Sequence, residues 1–253
     1  VTAIVAVSSC KGGVGKSTTA VNLAFQLAQQ GASVGIFDAD IYGPSLPTLV
    51  NAENPVPQQQ HDRLYPVVHQ GVKMMSFGFI QPNSEQPAIL RGPIASQLIK
   101  QLLFQTEWGH LDVLIIDCPP GTGDIMLTLS QALPMTGAYI VTTPQALSYV
   151  DVQKGIEMFM KCGVPTFGII ENMGSFVCDS CDTVHHLFGQ GRLKTMANHY
   201  GISDTVHVPI EKQLATCSDR GVPFVVLHPE SPTAKVYADC ANRLAWHVYN
   251  ESL

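Results

Sequence analysis

Residues 10–19 read Cys-Lys-Gly-Gly-Val-Gly-Lys-Ser-Thr-Thr and follow directly on an apolar run at residues 3–7. A strand that feeds a glycine-rich loop and then a helix wraps backbone N–H groups around the phosphates of a nucleotide. Gly12, Gly13, Val14 and Gly15 would form that cradle, and Thr18 would extend it into the helix. Lys16 stands where a loop lysine meets the β- and γ-phosphates, and Ser17 where a hydroxyl holds Mg²⁺. Lys11 is an extra cation at the mouth of the loop, which phosphate binding alone does not require. Cys10 occupies the place of the first glycine in the general pattern, and it reads as a buried, inert thiol.

Acidic residues close two other apolar runs. Phe37-Asp38-Ala39-Asp40 ends one, and Asp117-Cys118-Pro119-Pro120-Gly121-Thr122-Gly123-Asp124 follows the other. An Asp at a strand end beside a phosphate loop suits Mg²⁺, which makes Asp117 the second metal candidate after Ser17. Asp38 and Asp40 flank one residue, so in extended chain they point the same way, toward one site. Of the two, Asp40 is the candidate for orienting the attacking water, and Asp38 for contacting the nucleotide. The Gly-Thr-Gly-Asp stretch reads as a switch loop that senses the γ-phosphate, with Asp124 on the nucleotide side. No Asn-Lys-x-Asp stretch that would read guanine is present, so ATP is expected, with Asn172 against the base.

Cys178-Asp179-Ser180-Cys181 is the remaining constellation. Two thiolates at this spacing can share a metal or an iron–sulfur cluster, but about four ligands are normally needed. The missing pair comes either from a second copy of the chain at a two-fold axis, or from His185 and His186 as a zinc site. A redox dithiol and two free surface thiols are the other readings. Cys118, Cys162, Cys217 and Cys240 lie in apolar or helical contexts, and an odd total of seven cysteines argues against a disulfide framework.

Such residues need elements to carry them. Short apolar runs alternate with helical stretches, which predicts an α/β fold: a mostly parallel sheet flanked by helices on both faces. Strands are expected at residues 3–7, 33–37, 113–116, 138–142, 166–170 and 205–208. Helices are expected at 16–29, 93–104, 125–133, 147–161, 192–200, 212–219 and 233–249. Residues 51–70, with several prolines and a Gln triplet, read as a loop or short hairpin insertion. Ligands gather at the carboxyl ends of strands in such sheets, where the residues above fall.

The chain has 253 residues, 45% hydrophobic and 13% charged, enough for one α/β domain spanning 1–253. A net charge of −6 without a basic block argues against nucleic acid as a partner. No apolar stretch reaches the roughly 18 residues of a membrane span, so membrane insertion is not expected. The chain opens on Val, which reads as the core of a longer protein whose address segment is out of view. Plastid stroma and cytoplasm both stay open.

Over nearly its whole length the sequence resembles the Mrp/Nbp35-type P-loop ATPases that carry iron–sulfur clusters. The resemblance lies in residues 9–19, in Phe-Asp-Ala-Asp-Ile-Tyr-Gly-Pro-Ser-Leu-Pro (37–47), in Arg91-Gly92-Pro93, and in residues 116–124 and 141–145. Glu171-Asn172-Met173 and the Cys178/Cys181 pair complete it. The wording around Cys10, and at residues 35–40 and 106–109, is most similar to the plastid high-chlorophyll-fluorescence scaffold branch. The resemblance implies a homodimer of the deviant Walker A class and a slow ATP hydrolase. Lys11 would reach the partner's nucleotide and join Lys16 and Asp40 as a catalytic residue. Cys178 and Cys181 would bind a [4Fe–4S] cluster between subunits for transfer to apo iron–sulfur proteins. A zinc-bridged dimeric ATPase and a positioning or partition ATPase are the alternatives. Against the last, Val236, Tyr237, Leu244, Trp246 and Val248 make the final helix read as core packing rather than a basic membrane-binding face.

Overall fold

The computed structural model of the chain describes residues 1–81, 92–190 and 193–251, the side chains of Asp124, of residues 146–148 and of Glu251 excepted. It opens with β1 (Ala3–Ser8), α1 (Lys16–Gln29), β2 (Val34–Asp38) and α2 (Leu46–Leu49). Short strands follow: β3 (Gln58–Gln60), β4 (Arg63–Tyr65), β5 (Val67–His69) and β6 (Val72–Ser76). Next come α3 (Phe77–Ile80), α4 (Gly92–Gln105), β7 (Val113–Asp117), α5 (Asp124–Ala132), β8 (Gly137–Thr142) and α6 (Ala146–Lys161). β9 (Thr166–Asn172) leads into a small hairpin, β10 (Phe176–Val177) and β11 (Val184–His185). The chain closes with α7 (Leu193–Tyr200), β12 (Asp204–Val208), α8 (Lys212–Asp219), α9 (Phe224–Leu227) and α10 (Pro232–Glu251).

Eight strands form one sheet in the order β12-β9-β8-β1-β7-β2-β6-β5, and every pair runs parallel except β5 with β6. The expected α/β architecture is therefore present. β2, β7 and β8 are buried along their whole length, which explains why they read as continuous apolar runs rather than alternating ones. Alternation survives in where the side chains go: Val5 and Val7 join one core with Phe25 and Tyr237, while Ala6 joins the opposite core with Phe37 and Phe159. With β1 flanked by β7 and β8, and β7 by β2, the loops leaving β1, β2 and β7 emerge side by side.

Three local expectations are corrected. Residues 51–70 hold the short hairpin expected, β3 with β4, but also β5, which pairs with β6 and widens the main sheet. β6 was not expected, because Val-Lys-Met-Met-Ser lacks the β-branched density that marks the other inner strands. In α10, Tyr237 and Leu244 are buried as expected, but Trp246 is 63% exposed and packs in no core. Finally, Arg91 and Arg192, which fell in expected motifs or helices, lie outside the described residues.

Candidate functional site

After β1 the chain turns through Gly15, in the left-handed region at φ 82°, before α1 begins at Lys16. A Cβ there would stand 2.2 Å from Nδ2 of Asn172, so glycine is required by conformation and by space. α1 has no side-chain cap and no acidic residue in its first turn. Its leading N–H groups and the positive end of its dipole thus meet the loop without an internal anion, the electrostatics that favour phosphate. Neighbouring loops are stitched to this one: Gly121 N donates to Ser9 O at 2.9 Å, and Cys118 N to Val7 O at 3.0 Å.

Lys16 and Asp117 are both buried, and the ammonium donates to the carboxylate at the end of β7. Burial works against the charge on Lys16, but Asp117 outweighs it and holds the pKa above the ordinary lysine value. Lys16 also donates to Ser17 Oγ at 3.0 Å, and Ser17 bonds Asp117. A hydroxyl and a carboxylate thus meet beside a cation, a hard-oxygen pair whose chemistry fits Mg²⁺.

The two aspartates at the end of β2 have different partners. The strand ends at Asp38, Ala39 N still donates to Asp117 O at 2.9 Å, and the chain bends from residue 41 onward. Asp38 is buried, and its Oδ1 accepts from Asp40 N at 3.0 Å. Its Oδ2 accepts from Ser45 N at 3.0 Å, Leu46 N at 3.1 Å and Ser76 Oγ at 3.0 Å. Asp38 is therefore an anchor that shapes the 40–46 loop against β6. Burial, and then the Asp117 charge, push its carboxyl up to about 7 against these hydrogen bonds. Asp40 Oδ1 accepts from Gly43 N at 3.2 Å, and the residue borders a cavity of about 280 Å³ with Tyr42, Pro119 and Gly123.

Lys11 Nζ donates to Oε1 of Gln145 in its own chain at 3.0 Å, at the surface beside the loop. Asn172, at the end of β9, donates from Nδ2 to Val14 O at 2.8 Å. The residue expected against the base therefore braces the loop itself. Asp124 opens α5, and its side chain lies outside the described residues. Cys10 faces the helix α6 at Gly155, and burial pushes its thiol up to about 11, in line with an inert role.

Cys178 and Cys181 sit at the tip of the β10–β11 hairpin, the first half-buried and the second exposed. Cys178 N donates to Thr183 O at 3.0 Å, and Asp182 N returns to Cys178 O at 2.9 Å, closing a tight loop that brings the two thiols within hydrogen-bonding reach. Cys181 Sγ lies 3.2 Å from Thr183 Oγ1. The Thr183 hydroxyl, then its backbone N–H, then Cys178 draw the Cys181 pKa below the ordinary thiol value. By contrast Cys118 and Cys240 are buried, and burial pushes each up to about 12. Lys212, heading α8, pairs with Asp179 between the two thiols. His186 Nδ1 is 3.1 Å from Gly174 O, and among the described residues no group of three or more His, Cys, Asp or Glu gathers as a metal site. The zinc site completed by His185 and His186 within one chain is thus not assembled.

A profile described as ParA, NUBPL iron-transfer P-loop NTPase, matches residues 1–245. The chain belongs to this family. It is 45% identical over 243 residues to an iron-sulfur cluster carrier protein of Aquifex aeolicus, covering 96% of this chain and 67% of that one. It is 50% identical over 238 residues to the chloroplastic Fe-S cluster assembly factor HCF101 of Arabidopsis thaliana, covering 93% of this chain but 44% of the plant protein. Among solved structures, a nucleotide-binding protein of Archaeoglobus fulgidus in complex with ADP superposes with a TM-score of 0.79 at 38% identity, over 91% of this chain and 89% of that one.

In this member of the iron-transfer P-loop NTPases, Lys16, Ser17, Asp117 and Asn172 converge on one loop, Asp38 anchors the neighbouring 40–46 loop, and Asp40 lines the adjoining cavity. The cysteine pair stands at the end of the segment that leaves Asn172, not inside the cradle. Reading the sequence missed Ser76, Gln145 and Thr183. Their contacts link positions far apart along the chain or between side chain and thiol, for which spacing gives no signal.

Proposed function

We propose that the chain is a slow ATP hydrolase that carries an iron–sulfur cluster on Cys178 and Cys181 and hands it to apo iron–sulfur proteins. The observation that carries this reading is the pair of adjacent, accessible thiols on the hairpin, one with a lowered pKa, while the buried thiols stay inert. A thiolate is the form that ligates iron, so the pair is prepared for a soft metal cargo. Two thiolates supply half of a four-thiolate set, and a homodimer supplies the rest. Family membership and the names of the relatives support both the ATPase and the cargo.

In the cradle, Lys16 would leave Asp117 for the β- and γ-phosphates, and the α1 N–H groups would hold the phosphate oxygens. Gly12, Gly13, Val14, Gly15 and Thr18 would line the approach, with Asp38 and Asp124 bordering the loops that frame it. Mg²⁺ held by Ser17 and Asp117 would neutralise phosphate charge. Asp40, facing the adjoining cavity, would orient the attacking water. Lys11 would exchange Gln145 for the γ-phosphate of the partner copy, which makes closure of the dimer depend on ATP. We place the protein in plastid stroma or cytoplasm; no helix among the described residues is long and apolar enough to cross a membrane.

Anaerobic reconstitution with iron and sulfide tests the proposal. A broad visible absorbance with about four irons per dimer is expected, lost in Cys178→Ser and Cys181→Ser. Zinc without visible absorbance would turn the reading to a zinc-bridged dimer, and unchanged absorbance in both serine variants would overturn the ligand assignment.

A further inference from the structure

The five residues from Asn172 to Phe176 join the phosphate loop to the cysteine hairpin. At one end Asn172 braces Val14. At the other, Phe176 starts the strand that ends beside Cys178. Between them the backbone is held closely: Met173 lies in the left-handed region at φ 58°, Gly174 N donates to Val208 O at 3.0 Å, and Ile210 N donates to Ser175 O at 2.7 Å. A non-glycine residue in that region costs on the order of 1 kcal/mol and persists only where neighbours enforce it.

One side chain spans this segment. His207 of β12 is in register with Glu171 of β9, and its Nδ1 lies 3.1 Å from Glu171 Oε1. Its Nε2 lies 3.2 Å from Ser175 Oγ. Glu171 is buried and takes a second hydrogen bond from the Tyr149 hydroxyl at 3.1 Å. A carboxylate only accepts, so Nδ1 carries the proton toward Glu171, and in the neutral ring Nε2 accepts from the Ser175 hydroxyl. The ring lies on Gly174 so closely that a Cβ there would stand 2.0 Å from His207 Cε1. Glu171, adjacent to Asn172, and Ser175, adjacent to the hairpin, are thus joined through one imidazole.

We propose that Glu171, His207 and Ser175 form a relay that fixes the cysteine hairpin relative to the phosphate loop, with His207 the positioning residue through which nucleotide state reaches the two thiols. The physical reason is short reach. When phosphates enter the cradle, Val14 and its partner Asn172 adjust, and the displacement travels along three peptide links to Ser175. Backbone bonds tie that segment to Val208 and Ile210, and the imidazole adds a side-chain link between Glu171 and Ser175. Without the ring, Ser175 loses its side-chain tie to Glu171, and the hairpin behind it follows Asn172 less closely. The relay's biological purpose, cargo retention that responds to ATP, rests on the cluster-carrier reading above; the relay itself concerns only the thiols.

The test is the alkylation rate of Cys181 in the cluster-free protein, read by peptide mass spectrometry with Mg-ADP and with a non-hydrolysable Mg-ATP analogue. In the unmodified chain the two rates should differ about fivefold or more. His207→Ala and Ser175→Ala should bring the ratio close to one while nucleotide affinity stays within about twofold, and Ser175→Thr, which keeps the hydroxyl, should restore it. If His207→Ala does not fold, the Ser175 pair carries the comparison. Equal rates with both nucleotides in the unmodified chain, or a ratio that survives Ser175→Ala, overturn the relay. Failure of reconstitution with an intact ratio would instead sink the cluster reading and leave the relay standing.

Discussion

The Lys16 ammonium is bound to the Asp117 carboxylate at the floor of the loop, both groups buried. In this state the cation that would serve phosphate is occupied by the carboxylate that would serve the metal. Removing either partner leaves an uncompensated buried charge, which is strongly destabilising in general. Asp117→Asn should therefore cut ATP turnover by about 10²-fold or more, and Lys16→Ala should also weaken nucleotide binding. Turnover and fluorescent-nucleotide titration separate the two effects; normal turnover in Asp117→Asn would remove it from the site.

Asp38 makes stability depend on pH in an unusual direction. Its carboxyl stands at about 7 in the folded chain against 3.8 as the ordinary value. Between those two values the folded state holds a proton that the unfolded state has lost, so stability falls as pH rises through the window. Asp38→Asn removes this contribution. The unfolding free energy of the unmodified chain minus that of the variant should decline from pH 3.8 to about 7 and then level off. A flat or rising difference contradicts the assignment.

Asn172 should matter to the cradle before it matters to the base. Asn172→Ala deletes its bond to Val14 O, worth about 1 kcal/mol, or roughly five- to tenfold in nucleotide affinity. Gly15→Ala should be worse, because it meets both the left-handed backbone and the Asn172 amide. Isothermal titration with ADP checks both. Equal affinity in Gly15→Ala and the unmodified chain would mean that the loop is far more pliable than its packing indicates.

The lowered pKa of Cys181 predicts order among the thiols. With iodoacetamide near neutral pH, Cys181 should react before Cys118, Cys217 and Cys240, which are buried. Thr183→Val removes the hydroxyl that is the first cause of the shift, so the midpoint of the pH–rate curve for Cys181 should move up. A midpoint unmoved in Thr183→Val would place the cause elsewhere.

Lys11 and Gln145 predict a division between binding and closure. Lys11→Ala should keep ADP affinity yet lower hydrolysis by about 10²-fold, and should abolish any ATP-dependent rise in mass on size exclusion. Gln145→Ala removes the partner that holds Lys11 within its own chain and should ease that association.

The phosphate loop was legible because its chemistry is written in consecutive residues, and Asp117 because a strand pattern ended on it. The packing partners of Asp38 and Asn172 were not, since these meet them only after folding: Ser76 on β6, and the carbonyl of Val14. The relay was hidden for the same reason, as His207 lies 36 positions from Glu171 and 32 from Ser175. Apolar patterning placed Trp246 in the core, yet a helix face at the margin of a sheet can carry a large aromatic ring outward.

The two indoles of this chain occupy opposite surroundings. Trp108 is interior, edge-on to Phe37 with ring centroids 6.5 Å apart, one residue before Asp38, and its Nε1 donates to Leu103 O at 3.1 Å. Trp246 looks into solvent from α10. Replacing Trp246 by Phe should leave a single blue-shifted emitter at the root of the 40–46 loop, so that ordinary fluorescence, without any attached dye, reports when the loop rearranges.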